Sequence, residues 1–227
     1  MKVLVLNGSP KRAKSDTMHL TNAFLKGFCG VSSCEVPVLH TVDCNVKYCC
    51  GSLACMRNGG KCVFDDDMTE ILQQMAECDL LVFSFPLYCY GMPASLKAIL
   101  DRVLPLSALT MAKEGERYRH TMQREIAPKR YLMICGCGFP NSKGNFEGSV
   151  AQFKLNFPHD ATEICVSESP MFNEPTARPV TEPFLKLMEN AGAEYAQNGA
   201  LSDETMKKLS VPMIPEEVYA SIVNGQK

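Results

Sequence analysis

Residues 2–28, KVLVLNGSPKRAKSDTMHLTNAFLKGF, decide the fold. Residues 2–6 are a continuous aliphatic run, the pattern of a strand covered by helices on both faces and hence of a parallel sheet. A turn follows. From residue 16 to residue 28, Leu20, Phe24 and Phe28 recur at helical spacing, Thr17 and Ala23 are small enough for close packing, and Gly30 is the expected end. The same strand, turn and helix pattern recurs downstream. A short strand is expected at 34–39 and a helix at 67–77 with an acidic start. A third apolar strand follows at 80–85, then a helix with Pro93 at its first position. A fourth strand at 131–138, a helix at 147–157 and a strand at 163–166 complete a five-stranded alternating pattern, the mark of a doubly wound α/β sheet with helices on both faces.

The 227 residues read as one decorated domain. Its additions are a cysteine-rich loop at 44–66, a polar, charged insertion at 105–129 outside the sheet, and a C-terminal helical extension at 181–227. That extension begins with a helix at 181–197 and continues with a shorter one capped by Ser202. The closing run LSVPMIPEEVYASIVN has the character of a segment that packs on its own subunit or on a second copy. With 46% hydrophobic and 21% charged residues the chain can bury a core, and a formal net charge of −2 without a long basic run excludes nucleic acid and anionic membrane surfaces as expected partners. The opening MKVLVLNGSP lacks the apolar core of a secretory signal, and no apolar stretch reaches the ~20 residues of a membrane span. The expected setting is therefore the cytoplasm, where twelve cysteines suggest metal ligation, redox chemistry or burial rather than disulfides.

The first turn is built for an anion. It sits where the strand's carboxyl end meets a helix N-terminus, where backbone N–H groups carry partial positive charge. Ser9, Ser15 and Thr17 add hydroxyls there, and Lys11 or Arg12 adds full charge. The turn has neither the glycine-lysine loop of nucleotide triphosphatases nor the Gly-x-Gly-x-x-Gly of dinucleotide folds, so a monophosphate is the better match. After strand three, PLYCYGM offers a second element. Pro86 fixes a turn, Tyr88 and Tyr90 supply aromatic surface, and Gly91 permits close backbone approach, as a flat ring would require. Without the first turn the two tyrosines would read as ordinary half-buried packing.

NGSPKRAKSDT together with CDLLVFSFPLYCYGMPASLKAILDR resembles the two signatures of the NADPH-dependent FMN reductase and iron-sulfur flavoprotein group of the flavodoxin-like superfamily. The likeness covers residues 2–102 well and is weaker at CGCGF and in the tail. The resemblance implies a flavodoxin-like sheet and an NAD(P)H-dependent oxidoreductase, homodimeric or homotetrameric, that passes electrons through FMN to a quinone, nitroaromatic, flavin or protein acceptor. It also implies Ser9, Lys11, Arg12, Ser15, Asp16 and Thr17 around the FMN phosphate. Pro86, Leu87, Tyr88, Cys89, Tyr90 and Gly91 would lie along the ring edge, with Cys137 and Gly138 closing the other side. Flavin accepts hydride directly, so no catalytic side chain is nominated. Nicotinamide recognition has no linear signature here.

Cys44, Cys49, Cys50, Cys55 and Cys62 crowd the loop before FDDDM. In the iron-sulfur members of that group, four cysteines in this region hold a cluster. Aligning CCGSLAC on their motif puts Cys49, Cys55 and Cys62 on ligand places but Ser52 on the second. Three readings stay open: a degenerate motif that orders a loop, a cluster with an altered ligand, and zinc or a redox thiol pair. The expectation is that no metal is bound. The histidines lack a metal-ligand spacing.

Overall fold

A computed structural model describes residues 1–123, 130–157, 159 and 161–225. Five parallel strands form the central sheet: β1 (Val3–Asn7), β2 (Val38–His40), β3 (Leu80–Pro86), β6 (Arg130–Gly136) and β7 (Ala161–Val166), in the order β2-β1-β3-β6-β7. The aliphatic runs recognised in the sequence are its three central strands. Alternate side chains enter two separate cores, because successive Cβ atoms point to opposite faces. Val3, Val5, Val82 and Ile134 meet α1 (Asp16–Val31) and α6 (Arg178–Asn198) on one face. Leu4, Leu6, Phe83 and Met133 lie on the other, with residues of α3 (Met68–Glu77), α4 (Ala94–Asp101) and α5 (Glu147–Asn156). This is the expected flavodoxin-like, doubly wound sheet, and its parallel strands bring every strand's carboxyl end to one edge.

α1 and α6 touch backbone to backbone. A Cβ on Gly27 would lie 1.7 Å from the carbonyl oxygen of Glu189, and one on Gly192 would lie 1.8 Å from that of Phe24. Only glycine permits this approach at either position. Below it, Phe24, Phe28 and Tyr195 form a buried aromatic group, with Arg130 over the Phe28 and Tyr195 rings.

Several boundaries differ from expectation. α1 continues through Gly30 to Val31, and the N–H of Ser32 closes it by donating to Phe28 O at 3.1 Å, since tertiary packing on α6 outweighs the glycine's weak helix propensity. Pro93 is the N-cap of α4 rather than its first residue. β2 is only three residues long, as suits an exposed edge strand. α6 starts three residues before Thr181, with Pro179 in its first turn. The 105–129 insertion contains a two-stranded antiparallel sheet, β4 (Ser107–Glu114) and β5 (Arg117–Met122), turning at Gly115, and its residues 124–129 lie outside the described ones. A short helix, α2 (Ala54–Arg57), interrupts the cysteine loop. Ser202 caps α7 (Asp203–Leu209), its Oγ accepting from Thr205 N at 3.3 Å, and α8 (Glu216–Val223) follows with Tyr219 buried against the body. No helix among the described residues is long and apolar enough to cross a membrane.

Candidate functional site

Three loops gather at the carboxyl edge of the sheet. The first leaves β1 through Asn7, which is fully buried and holds the turn by its side chain. Asn7 Oδ1 accepts from Ser9 N at 2.9 Å, and Asn7 Nδ2 donates to Arg12 O at 2.9 Å. Arg12 takes the left-handed conformation, φ 53°. Ser9, Ser15 and Thr17 are all buried, with the Ser15 and Thr17 hydroxyls 2.7 Å apart. Ser15 holds the N-cap place of α1, yet its side chain caps no backbone N–H. The first turn of α1 therefore lacks the side-chain partner that helix starts normally recruit, the condition under which a bound anion is favoured.

Two of the loop's three cations, Lys11 and Arg12, are engaged in ion pairs. Lys11 Nζ lies 3.2 Å from Asp16 Oδ2, and Arg12 makes a bidentate pair with Asp43, 2.6 Å at the shortest. The Asp43 carboxyl is held below its ordinary range by the Arg12 hydrogen bond. Asp16 also accepts from Asn173 Nδ2, which donates further to Lys14 O at 3.1 Å. The remaining electropositive character of the loop comes from Lys14 and from its N–H groups.

The second loop follows β3. Leu87 N donates to Gly136 O at 2.8 Å, and Tyr88 and Gly91 exchange backbone hydrogen bonds across a two-residue turn. The left-handed residues of that turn are Cys89 (φ 49°) and Tyr90 (φ 61°), not Gly91. Non-glycine residues in this region cost about 1–2 kcal/mol each, and such strain gathers at functional sites. Tyr88 and Tyr90 are 48% and 57% exposed, whereas the sequence alone allowed half-buried packing. In the third loop Phe139 stacks on Tyr90 with ring centroids 6.3 Å apart and planes 9° from parallel. Cys137 is buried, and burial pushes its thiol up. Gly138 has open space beside it apart from Pro170.

Packing links the loops. A Cβ on Gly136 would meet Ser169 at 2.7 Å and Thr17 at 3.0 Å, one on Gly8 would meet Phe85 at 3.1 Å, and Gly8 N donates to Ser84 O at 2.8 Å. Sequence reasoning missed Asn7, Asp43, Asn173 and Glu168. Asn before Gly-Ser-Pro carries the signal of a side-chain-closed turn, whereas the other three reach the site from distant connections and leave no local trace. Glu168 (φ 57°) is completely buried behind the third loop, donating its N–H to Phe139 O at 2.9 Å. Its Oε2 accepts from Met213 N at 2.6 Å, and its Oε1 is buried without a well-formed hydrogen bond among the described residues. Burial pushes this carboxyl up, opposed by the Met213 and Ile214 N–H groups.

The cysteine loop lies beside this edge, anchored by a buried ion pair. Arg102 donates to both oxygens of Asp66 (2.9 and 3.0 Å), to Lys47 O at 2.6 Å and to Cys62 Sγ at 3.3 Å. Cys49, Cys50, Cys55 and Cys62 line one small cavity with Ser52. The motif's own places supply three thiolates, Cys49, Cys55 and Cys62, so a four-thiolate cluster would have to draw its fourth from Cys50 at the same cavity. Ser52 occupies the second ligand place, its Oγ accepting from Ala54 N at 3.4 Å, and an alkoxide is a poor ligand for iron-sulfur chemistry.

A family model described as flavodoxin-like fold matches residues 1–162. The chain is 34% identical over 106 residues to the iron-sulfur flavoprotein MJ1083 of Methanocaldococcus jannaschii, covering 47% of this chain and 53% of that one, so it spans about half of that relative's length. It is 26% identical over 146 residues to a Bacillus subtilis protein named as an NAD(P)H-dependent FMN-containing oxidoreductase, YwqN, covering 63% and 71%. A solved FMN-dependent NADH-azoreductase from Bacillus anthracis in complex with FMN superposes with a TM-score of 0.62 at 18% identity, over 86% of this chain and 99% of that one, a likeness of fold.

Proposed function

The chain belongs to the flavodoxin-like fold family, and from that premise we propose that it is an NAD(P)H-dependent, FMN-containing oxidoreductase that hands electrons from a reduced nicotinamide to a small-molecule acceptor. One juxtaposition carries the reading: an uncapped helix start with buried hydroxyls stands at the same sheet edge as an exposed, strained aromatic turn. The first suits a phosphoryl group and the second a flat ring, and FMN has both. The FMN and NAD(P)H in the relatives' names support the same reading.

In this reading Ser9, Ser15, Thr17 and the first N–H groups of α1 hold the phosphate. Lys11 and Arg12 frame it while Asp16 and Asp43 balance their charge. Residues 86–91 lie along the ring edge, and Cys137 and Gly138 close the far side. FMN, when bound, supplies a hydride acceptor that needs no protein acid or base. The residues bind and orient, and the half-exposed Tyr88 stands where the nicotinamide and then the acceptor would arrive from solvent.

The whole chain is taken as one domain, cytoplasmic, acting as a homodimer or homotetramer. The hairpin supports self-association: Met111, Tyr118 and Met122 are exposed on it, while Arg119 donates to Leu155 O at 3.1 Å. Quinones, nitroaromatics, free flavin and a protein are the acceptor classes. The relatives named iron-sulfur flavoproteins support a second reading, an electron carrier with a cluster in the cysteine loop, against which Ser52 stands. An absorption spectrum of anaerobically purified protein with iron analysis decides. Flavin bands without stoichiometric iron, bleached by NADPH, are expected. Protein that holds no flavin and takes up none on titration would end the proposal.

A further inference from the structure

Glu168 follows β7 and combines three unfavourable conditions. Its backbone is left-handed at φ 57°, its side chain is completely buried, and Oε1 lacks a well-formed hydrogen bond among the described residues. A left-handed non-glycine residue and a buried, half-satisfied carboxylate both oppose folding, and they persist where the surrounding structure over-determines them. Flavin chemistry needs no protein acid or base, so it gives this carboxylate no direct part.

Two sets of hydrogen bonds meet at this residue. Its backbone belongs with the third loop: Glu168 N donates to Phe139 O, and the next N–H, of Ser169, donates to Cys137 O, both at 2.9 Å. Its side chain belongs with the C-terminal segment, since Oε2 accepts from Met213 N at 2.6 Å. The same segment reaches the third loop a second time, where Asn141 Nδ2 donates to Glu216 Oε2 at 2.8 Å. The segment is itself anchored, with Leu209 in the core that α1 shares with α6 and Met213 packed against it. From Glu168 the 3-10 turn Ser169–Asn173 runs on to the phosphate turn, where Asn173 Nδ2 donates to Lys14 O at 3.1 Å and to the Asp16 carboxylate.

We propose that Glu168 is a positioning residue of the flavin site, through which the C-terminal segment around Met213 holds the third loop against the ring. This role rests on the FMN reading above. Glu168 touches neither cofactor nor substrate in it. It acts through the carbonyls of Cys137 and Phe139, which its own N–H and that of Ser169 hold in place, and so sets where Gly138 faces the ring. Without the carboxylate, Met213 N loses its acceptor, and loop and tail are free to move separately. The phosphate turn keeps its brace from Asn173 at the other end of the 3-10 turn. The ring should therefore lose contact energy while the phosphate does not.

Glu168→Gly tests this directly, because glycine takes a left-handed backbone without steric cost and keeps the backbone hydrogen bonds while removing only the carboxylate. FMN and riboflavin are titrated into full-length apoprotein by flavin fluorescence. Wild type should bind both, FMN more tightly. In Glu168→Gly both dissociation constants should rise by a common factor, roughly five- to tenfold, and the visible circular dichroism of the bound flavin should change. Glu168→Gln keeps an oxygen for Met213 N and should recover most of the loss. A residue that only added stability would lower Tm and leave affinities and spectrum as in wild type. That result overturns the proposal, and so does a loss confined to FMN. If Glu168→Gly does not fold, Glu216→Ala decides, because it cuts the second link between tail and loop from the exposed side. Riboflavin affinity should then fall by at least about twofold, and an unchanged affinity overturns the proposal. Wild-type protein that takes up neither flavin would end the oxidoreductase reading and this role with it, whereas wild-type binding that Glu168→Gly leaves untouched ends this role alone.

Discussion

At the scale of single residues, Ser9 is the sharpest probe of the phosphate turn. It is buried, its N–H is fixed by Asn7, and its Oγ accepts from Lys11 N at 3.3 Å. Ser9→Glu would place a carboxylate where an anion should bind, and FMN affinity is expected to fall by at least about tenfold, or ~1.4 kcal/mol. Ser9→Ala should lose only a few-fold. Titration by flavin fluorescence, with circular dichroism to show that the fold persists, checks both, and an unchanged affinity in the glutamate variant would remove this turn from the site. The gathering of Ser9, Ser15 and Thr17 in one turn was legible in the sequence from their place between the first strand and its helix, although hydroxyls also cluster at helix starts for purely structural reasons. The left-handed backbone of Cys89 and Tyr90 was not, since Gly91 beside them draws any sequence-based expectation of unusual φ to itself. Glu168 was illegible for a different reason. A glutamate between a strand and a proline looks solvated, and only the folded tail shows that Met213 closes over it.

Among the elements, the contact between α1 and α6 is the most demanding. Gly192→Ala would drive a methyl into Phe24 O, so the helices must separate or twist. The expected cost is roughly 1–3 kcal/mol, and each 1 kcal/mol lowers Tm by about 2–4 °C in a chain of this length. Thermal unfolding measures it, and a Tm within 1 °C of wild type, roughly the effect of a neutral surface change, would contradict the described packing. α1 itself was evident from Leu20, Phe24 and Phe28, but its glycine-mediated partner was not, because nothing in a lone sequence says which two glycines face each other. The hairpin was hidden by composition. Residues 107–122 are rich in charge, and Lys, Arg and Glu obscure the alternation that would otherwise announce two strands. In contrast, the three central strands declared themselves, since a strand buried on both faces leaves no place for polar side chains.

Across the whole molecule, stability against pH follows from its buried carboxyls. Burial raises both Glu163 and Glu168, the former opposed by Lys154. A raised acid binds its proton more tightly folded than unfolded. Its contribution is therefore complete below the ordinary glutamate range near 4.5 and is lost as pH rises through the folded value. Asp66 works in the other direction. Burial disfavours its charge, but Arg102 and the Lys47 and Met68 N–H groups outweigh that and hold it low, so its contribution is lost only as pH falls below about 4. Tm should therefore rise on acidification from neutrality to about pH 5 and fall below about pH 4, and Glu168→Gln should flatten the upper part of the profile. A variant profile parallel to wild type would show that Glu168 does not titrate there. The contact between α1 and α6 has a last consequence for biosynthesis. α6 emerges from the ribosome after all five strands, so the side of α1 that it covers, with Gly27 and the Phe24 backbone, stays bare until translation is nearly finished. A fragment stopped at residue 162 would keep that raw surface permanently and should depend on chaperones to remain dispersed.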